Sequence, residues 1–376
     1  MAKSKTPKLT AGQISDTLDD IAPPALAQSW DNVGMLIGDR SAKCQRILLC
    51  IDLTPPVLDE AISNKCQFIV SYHPPLFQPI TRIVAHSSDT DAIIHRAIKH
   101  GIATYSPHTA LDAAEGGTND VIAGLCKLTE VEPFEFVATG KCEYKVTTFV
   151  PPGQLDKVAS AMFDAGAGHI GDYQQCSYRT RGEGTFFGTQ STHPRLGRKG
   201  RLERVAETRL EMLCPDRCLP EVIAALRQSH PYEEPAFDIY PLHPEPIAGI
   251  GRVGQLPPAT TLGSLAQSLY KATQSKVMTI VGPSRTKICR AAVCVGAAGR
   301  EPLEKSRSAD CDVIVTGEIR HHDALTILRN HKTAIALGHW ESERPVLKPL
   351  AKRLTTMLEG ISIIISKRDT GPFNVL

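Results

Sequence analysis

Three histidines stand where a β-branched apolar run gives out: His73 in FIVSYHPP, His108 in TYSPHTALD and His339 in IALGHWESE. In open α/β sheets, ligands bind in the crevice outside the carboxyl ends of the strands. Two of the three have a carboxylate four residues on, Asp112 after His108 and Glu343 after His339. One helical turn after the strand would return that carboxylate to the side of its histidine. Neutral imidazole with carboxylate suits Zn, Mn or Fe at a centre that keeps open positions. Two such pairs facing each other would hold two divalent ions with a carboxylate between them, an arrangement that activates water. A single histidine at a strand end is more often a packing or surface residue. Its repetition in matched halves is what favours a shared centre.

The elements that must position these residues come in two blocks. From residue 8 to about 130, RILLCIDL (46–53), FIVSYH (68–73) and GIATYS (101–106) have the look of strands, while PVLDEAISN (56–64) and DAIIHRAIKH (91–100) have helical spacing. From about 262 onward the strands would be VMTIVG, CRAAVCVG, DVIVTG, TAIALG and ISIIIS, with helices between them. Such alternation predicts largely parallel sheets covered by helices. The blocks also resemble each other: FIVSYHPP matches VIVTGEIRHH, and one helix later GIATYSPHTALD matches TAIALGHWESE. The expected architecture is therefore α/β, with two related halves, 1–140 and 244–376, forming one metal-binding unit. His322 falls at the half-repeat position of His73 and is expected to line the pocket.

Residues 141–243 have a different character. YKVTTFVP alternates at period two, GQLDKVASAMFDAG is helical, and CSYRTRGEGTFFG suggests two strands about a Gly turn. A strand, a helix and a strand follow, in VAETRLEMLCP, LPEVIAALRQSH and AFDIYPL. That order suits an inserted ferredoxin-like α+β domain.

Composition excludes several classes. The 376 residues carry a net charge of +2 and are 42% apolar and 22% charged, which argues for a globular chain without a global nucleic-acid or membrane field. No apolar run approaches the ~18 residues that a membrane span needs. The basic start MAKSKTPKLTAGQ lacks an apolar core and a cleavage site, so a cytoplasmic protein is expected. Eleven scattered cysteines, an odd number, fit reduced thiols, several of them in apolar runs (Cys50, Cys289, Cys294, Cys311).

Five stretches together, SWDNVGMLIGD, SYHPPLF, SPHTALDAAEGGTND, VTGEIRHHDAL and GHWESER, closely resemble the Nif-three-like dinuclear metal-centre hexameric proteins, also known as GTP cyclohydrolase I type 2 homologues. The resemblance implies metal ligands at His73, Asp112, His339 and Glu343, with Glu343 bridging two divalent ions. It implies that His108 lies near the metals as a proton carrier or auxiliary ligand. It departs at Tyr72, where many members have the first histidine of a His-His pair; a neutral phenol there would donate a hydrogen bond to water or substrate. Trp30 and Asn32 fall in a loop that the resemblance places over the site. HPYEEPAFDIY (230–240) resembles the last helix-to-strand turn of CutA-like domains, which longer members carry as an insertion. A homohexamer and a nucleotide substrate, GTP, are implied as well. A phosphoesterase using the same ions, and a metal-binding regulator or metal chaperone without turnover, remain open alternatives.

Overall fold

Parallel strands must hide both faces, and both blocks do so. In the computed structural model, which describes residues 9–85, 90–137, 143–243, 247–305 and 308–374, the chain divides into two compact units, Met1–Ala138 with Pro246–Leu376, and Thr139–Glu245. The sequence-based joints at 140/141 and 243/244 involve residues that lie outside the described ones.

The larger unit is built on two sheets. The first has the order Gly34–Ile37, Ala103–Ser106, Phe68–Ser71, Arg46–Cys50, Ser362–Ile365. Gly34–Ile37 runs antiparallel to its neighbour and the other strands are parallel. The second has the order Thr279–Val281, Thr333–Ala336, Val313–Thr316, Arg290–Cys294, Arg252–Gln255, Thr129–Glu132. It repeats the same start, one antiparallel edge strand and then three parallel strands. The matched strands Phe68–Ser71 and Val313–Thr316 thus occupy the same place in each sheet, as do Ala103–Ser106 and Thr333–Ala336.

Alternating side chains explain the layering. In Arg46–Cys50, Ile47 and Leu49 pack with Ile14 and Leu18 of helix Ala11–Ile21 and with Leu350 and Leu354 of helix Leu347–Met357. Leu48 and Cys50 point the other way, onto Val57 and Leu58 of helix Pro55–Ser63 and Ile93 of helix Thr90–Lys99. In the second sheet Val293, Val313 and Ile335 meet Leu265 and Leu269 of helix Leu262–Thr273, while Ile314 and Ala334 meet Ile327 of helix His321–Arg329. Cys50, Cys294 and Cys311 are buried as small hydrophobes; Cys289 is exposed instead, because it precedes its strand rather than joining it.

The sheets do not follow the sequence blocks strictly. ISIIIS supplies Ser362–Ile365 to the first sheet, parallel to Arg46–Cys50, and Thr129–Glu132 of the first block pairs with Arg252–Gln255 in the second sheet. Each sheet is therefore completed by the other block.

The smaller unit has four antiparallel strands in the order Phe237–Pro241, Glu143–Val150, Leu202–Pro215, Tyr178–Phe187. Helices Leu155–Asp164 and Leu219–Ser229 bury Val158, Met162, Val222 and Leu226 against Val146, Leu210 and Met212. Along the chain this is β-α-β-β-α-β. The expected turn within CSYRTRGEGTFFG is absent: Tyr178–Phe187 is one continuous strand. A Cβ at Gly184 would lie 2.1 Å from the Glu207 carboxylate, the end of a flexible side chain on the neighbouring strand.

One buried cation locks the larger unit. Arg252 is 2% exposed. Its guanidinium meets Asp120 through Nε and, at 2.8 Å, through Nη2, while Nη1 donates to the Gly249 and Gly251 carbonyls at 2.8 and 2.7 Å. Nη2 also reaches the Ala114 carbonyl at 3.1 Å. Only a planar five-donor fork can serve so many acceptors. Arg252→Ala should destabilise the larger unit by about 3–5 kcal/mol, because it leaves a carboxylate and carbonyls unpaired. Urea unfolding would show this as a lower midpoint, and Arg252→Lys should recover little of the loss.

Candidate metal centre

The carboxyl ends of the matched strands converge on one acid. Glu343 closes the short helix His339–Glu343 that follows Thr333–Ala336, and it is 2% exposed. His339 Nε2 lies 3.1 Å from its Oε1, and His73 Nε2, from the end of the other sheet, lies 3.2 Å from its Oε2. Burial alone would raise the Glu343 pKa, but the two imidazoles hold it below the usual carboxylate value. Despite that contact, Oε2 is buried without a hydrogen bond. Ligand atoms of His73, His339 and Glu343 all lie within 4.8 Å of one another. Two imidazole nitrogens and an orphaned buried carboxylate oxygen are a donor set that fits a divalent cation.

Each histidine is held by a carboxylate on its far side. His73 Nδ1 is 2.9 Å from Asp52 Oδ1, and His339 Nδ1 is 3.1 Å from Glu318 Oε1. In the neutral ring, an Nδ1–H donated to that carboxylate leaves Nε2 free to ligate and makes it a better donor. Burial disfavours a charged His73, but Asp52 and Glu343 outweigh it and push its pKa up to about 10. His339 is raised as well, first by Glu343. Asp52 is aimed in turn by Asp369, which accepts the Ile51 amide at 2.8 Å and the Trp340 indole N–H at 3.1 Å.

Asp112 and Tyr72 form the next layer. Asp112 lies in the short helix His108–Ala113 and lines the same cavity, but it stands apart from the close His73–His339–Glu343 group. Tyr72, 1% exposed, donates its hydroxyl to Asp112 in a short hydrogen bond. The phenol's acceptor is thus a carboxylate of the site itself rather than water or substrate. Burial, with the charges of Asp112 and Glu343, keeps the phenol neutral. Burial and the Glu343 charge push the Asp112 pKa up to about 6. Asn119 ties this layer to the second sheet, donating to the Asp112 carbonyl at 3.0 Å and accepting the Val295 amide at 3.0 Å.

His108 is also backed by an acid. Its Nδ1 is 2.8 Å from Asp31, whose side chain is fully buried and also accepts the Thr109 amide at 3.1 Å. Burial would raise Asp31, yet these hydrogen bonds bring its pKa down to about 2. The His73 ring stands 5.1 Å from that of His108 and 5.5 Å from that of His339, so all three histidines share one wall.

These groups open onto a cavity of about 570 Å³, lined by Trp30, Phe77, His108, Asp112, His339 and Glu343 among others, a size suited to a small-molecule ligand. Gly296, in the VCVGAAGRE loop, floors it: a Cβ there would come within 2.9 Å of Glu343 Oε1. One expected pocket residue lies elsewhere, and another stands at the rim. His322 is exposed in the first turn of helix His321–Arg329, and from its motif Glu318 reaches the site instead, because the chain leaves the sheet two residues after the strand ends. Asn32 is exposed and donates its amide to the Leu76 carbonyl, joining two loops at the cavity's edge. Asp31, Asp52 and Glu318 escape a reading based on histidines. Asp52 and Glu318 each sit two residues beyond a parallel strand, and that placement is the signal that could find them.

Because His73 carries a proton at neutral pH in the metal-free chain, metal uptake must displace it. Calorimetry of Zn or Mn binding at pH 7.5 should show an enthalpy that varies with the buffer's ionisation heat. Apparent affinity should rise by up to roughly tenfold per pH unit until about pH 10, where the free imidazole loses its proton. Asp52→Asn and Glu318→Gln should each weaken binding by about 10–100-fold.

A profile of the family described as DUF34/NIF3 (NGG1p interacting factor 3) matches residues 9–372. A Halalkalibacterium halodurans protein named GTP cyclohydrolase 1 type 2 homolog is 34% identical, covering 98% of this chain and 100% of that protein. A Bacillus subtilis protein of the same name is 33% identical, with both chains covered in full. The crystal structure of a Bacillus cereus protein related to NIF3 superposes with a TM-score of 0.80 at 32% identity, over 99% of this chain and 100% of the other. Both sheets, the smaller unit and every residue of the candidate metal centre fall within these matches, and the chain belongs to the DUF34/NIF3 family.

Proposed function

We propose that the chain is a metal-dependent hydrolase that opens the imidazole ring of guanine in GTP, using two divalent ions. The observation that carries this reading is Glu343, a buried carboxylate shared by histidines from two sheets and facing a ligand-sized cavity. The names of the relatives supply the substrate class. When bound, the ions lower the pKa of a water and polarise the substrate. His73, His339 and Glu343 would hold one ion. Asp112, sharing Glu343, would help hold a second. The neutral Tyr72 phenol holds the Asp112 carboxylate in place. His108, with Nδ1 engaged by Asp31, keeps Nε2 to accept or return a proton in the cavity. One water added at the imidazole carbon opens the ring, and a second releases that carbon as formate.

We further infer, on family resemblance, that the chain forms a homohexamer in the cytoplasm and that the smaller unit is a CutA-like contact module. Among the described residues, no helix is long and apolar enough to cross a membrane.

Protein loaded with Mn or Zn should release formate from GTP, and Glu343→Ala should lower the rate by more than about 100-fold, beyond the effect of losing a supporting partner. Phosphate release without formate would redirect the reading to a phosphoesterase. The absence of turnover with any nucleotide would sink the hydrolase reading. Because Tyr72 stands where an imidazole would ligate, the two ions should bind unequally, and Tyr72→His should narrow the gap in a calorimetric titration.

A further inference from the structure

The mouth of the cavity carries aromatic surface that the metal chemistry does not use. Trp30 is 58% exposed and Phe77 is 45% exposed, and both line the cavity. Their rings meet edge to face, with centroids 6.0 Å apart and planes at 63°. The His108 ring lies 6.0 Å from Trp30 at 73°. Neither neighbour lies flat against the indole, and more than half of the residue remains in water.

Both side chains project from loops, yet the loops are tied down. Next to Trp30, the buried Asp31 carboxylate is held by His108 and Thr109, and the Gln28 amide donates to Thr109 Oγ1 at 3.0 Å. Asn32 joins the Trp30 loop to the Phe77 loop by donating to the carbonyl of Leu76. The backbone that carries the indole is thus fixed before any ligand arrives, and the ring itself touches Phe77 and His108 at their edges. From it a row of rings leads inward, with His108, His73 and His339 spaced at 6.0, 5.1 and 5.5 Å. A large, exposed, positioned aromatic face at the rim of a polar cavity suits a planar heteroaromatic ligand. A base can stack flat on it, whatever its edge pattern.

We propose that Trp30, supported by Phe77, is a stacking platform for the purine ring of the substrate at the mouth of the metal cavity. This deepens the nucleotide reading given above and rests on it. The platform recognises the base and not the phosphate, so guanosine carries the recognition and ribose 5-phosphate lacks it.

Equilibrium dialysis of the metal-loaded full chain against guanosine, GTP and ribose 5-phosphate tests the assignment. Tryptophan emission is followed in parallel, since the chain has two tryptophans and the other, Trp340, is bound to Asp369. Guanosine and GTP should bind and quench the emission, whereas ribose 5-phosphate should do neither. Trp30→Ala should weaken guanosine binding by about 5–100-fold and remove most of the quench, with metal content unchanged. Trp30→Tyr should restore much of the binding, and Phe77→Ala should weaken it less than Trp30→Ala does. Guanosine binding that is unchanged in Trp30→Ala, or matched by ribose 5-phosphate, would overturn the platform even if formate release stands. Base binding that depends on Trp30 without any turnover would keep the platform and sink the hydrolase reading instead.

Discussion

A carboxylate buried to 2% exposure is the constraint around which the larger unit is arranged. Taking a charged carboxylate out of water costs several kcal/mol unless partners surround it. Glu343 finds those partners only where the two sheets meet, with His339 from its own helical turn and His73 from the far sheet. The penalty is relieved only when both strand ends are in register, so one acid couples the placement of both blocks. The carboxylates behind the histidines extend the coupling outward. Asp52 depends on Asp369, which also holds Trp340, the residue after His339.

A second buried charge makes the same join further along. Arg252 opens the strand that pairs antiparallel with Arg290–Cys294 in the second sheet, yet its guanidinium satisfies Asp120 and the carbonyls of Ala113 and Ala114, next to Asp112. The helix that presents Asp112 is thereby fastened to the opposite sheet. A pair of independent lobes would allow the candidate ligands to drift. With acid and base buried across the join, the ligands are fixed by the same contacts that hold the fold.

Much of this was legible in the sequence because parallel strands leave a strong trace. The runs FIVSYH, GIATYS, DVIVTG and TAIALG are apolar on both faces, and the i,i+4 spacing of His339 and Glu343 reports a helical turn. What was hidden lies in relations without period. Asp31, Asp52 and Glu318 act through histidines far away in the chain, and a lone acid after a strand looks like any solvated loop residue. The inward-facing His322 expected from the repeat fails because the second block departs from its sheet differently, letting Glu318 take that side of the site. The assignment of ISIIIS to the first sheet was equally invisible, since a β-branched run shows that it is a strand but not which neighbour it joins. The glycines of RGEGTFF suggested a turn because glycine frees the backbone, yet both sit within the continuous strand Tyr178–Phe187.

The strand Ser362–Ile365 and the nearby Asp369 set an order of events during synthesis. Asp369 caps the amides of Ile51 and Asp52 across 318 and 317 residues of chain. While a ribosome is still extending the middle of the polypeptide, the first sheet lacks its parallel edge and the acid behind His73 lacks its anchor. Closing a loop of this length is entropically slow, and domains otherwise tend to fold as they emerge. Until that closure, the candidate centre lacks both the strand and the anchor that complete the first sheet behind His73. A metal held at this centre would meet its complete ligand set only after the last strand has docked.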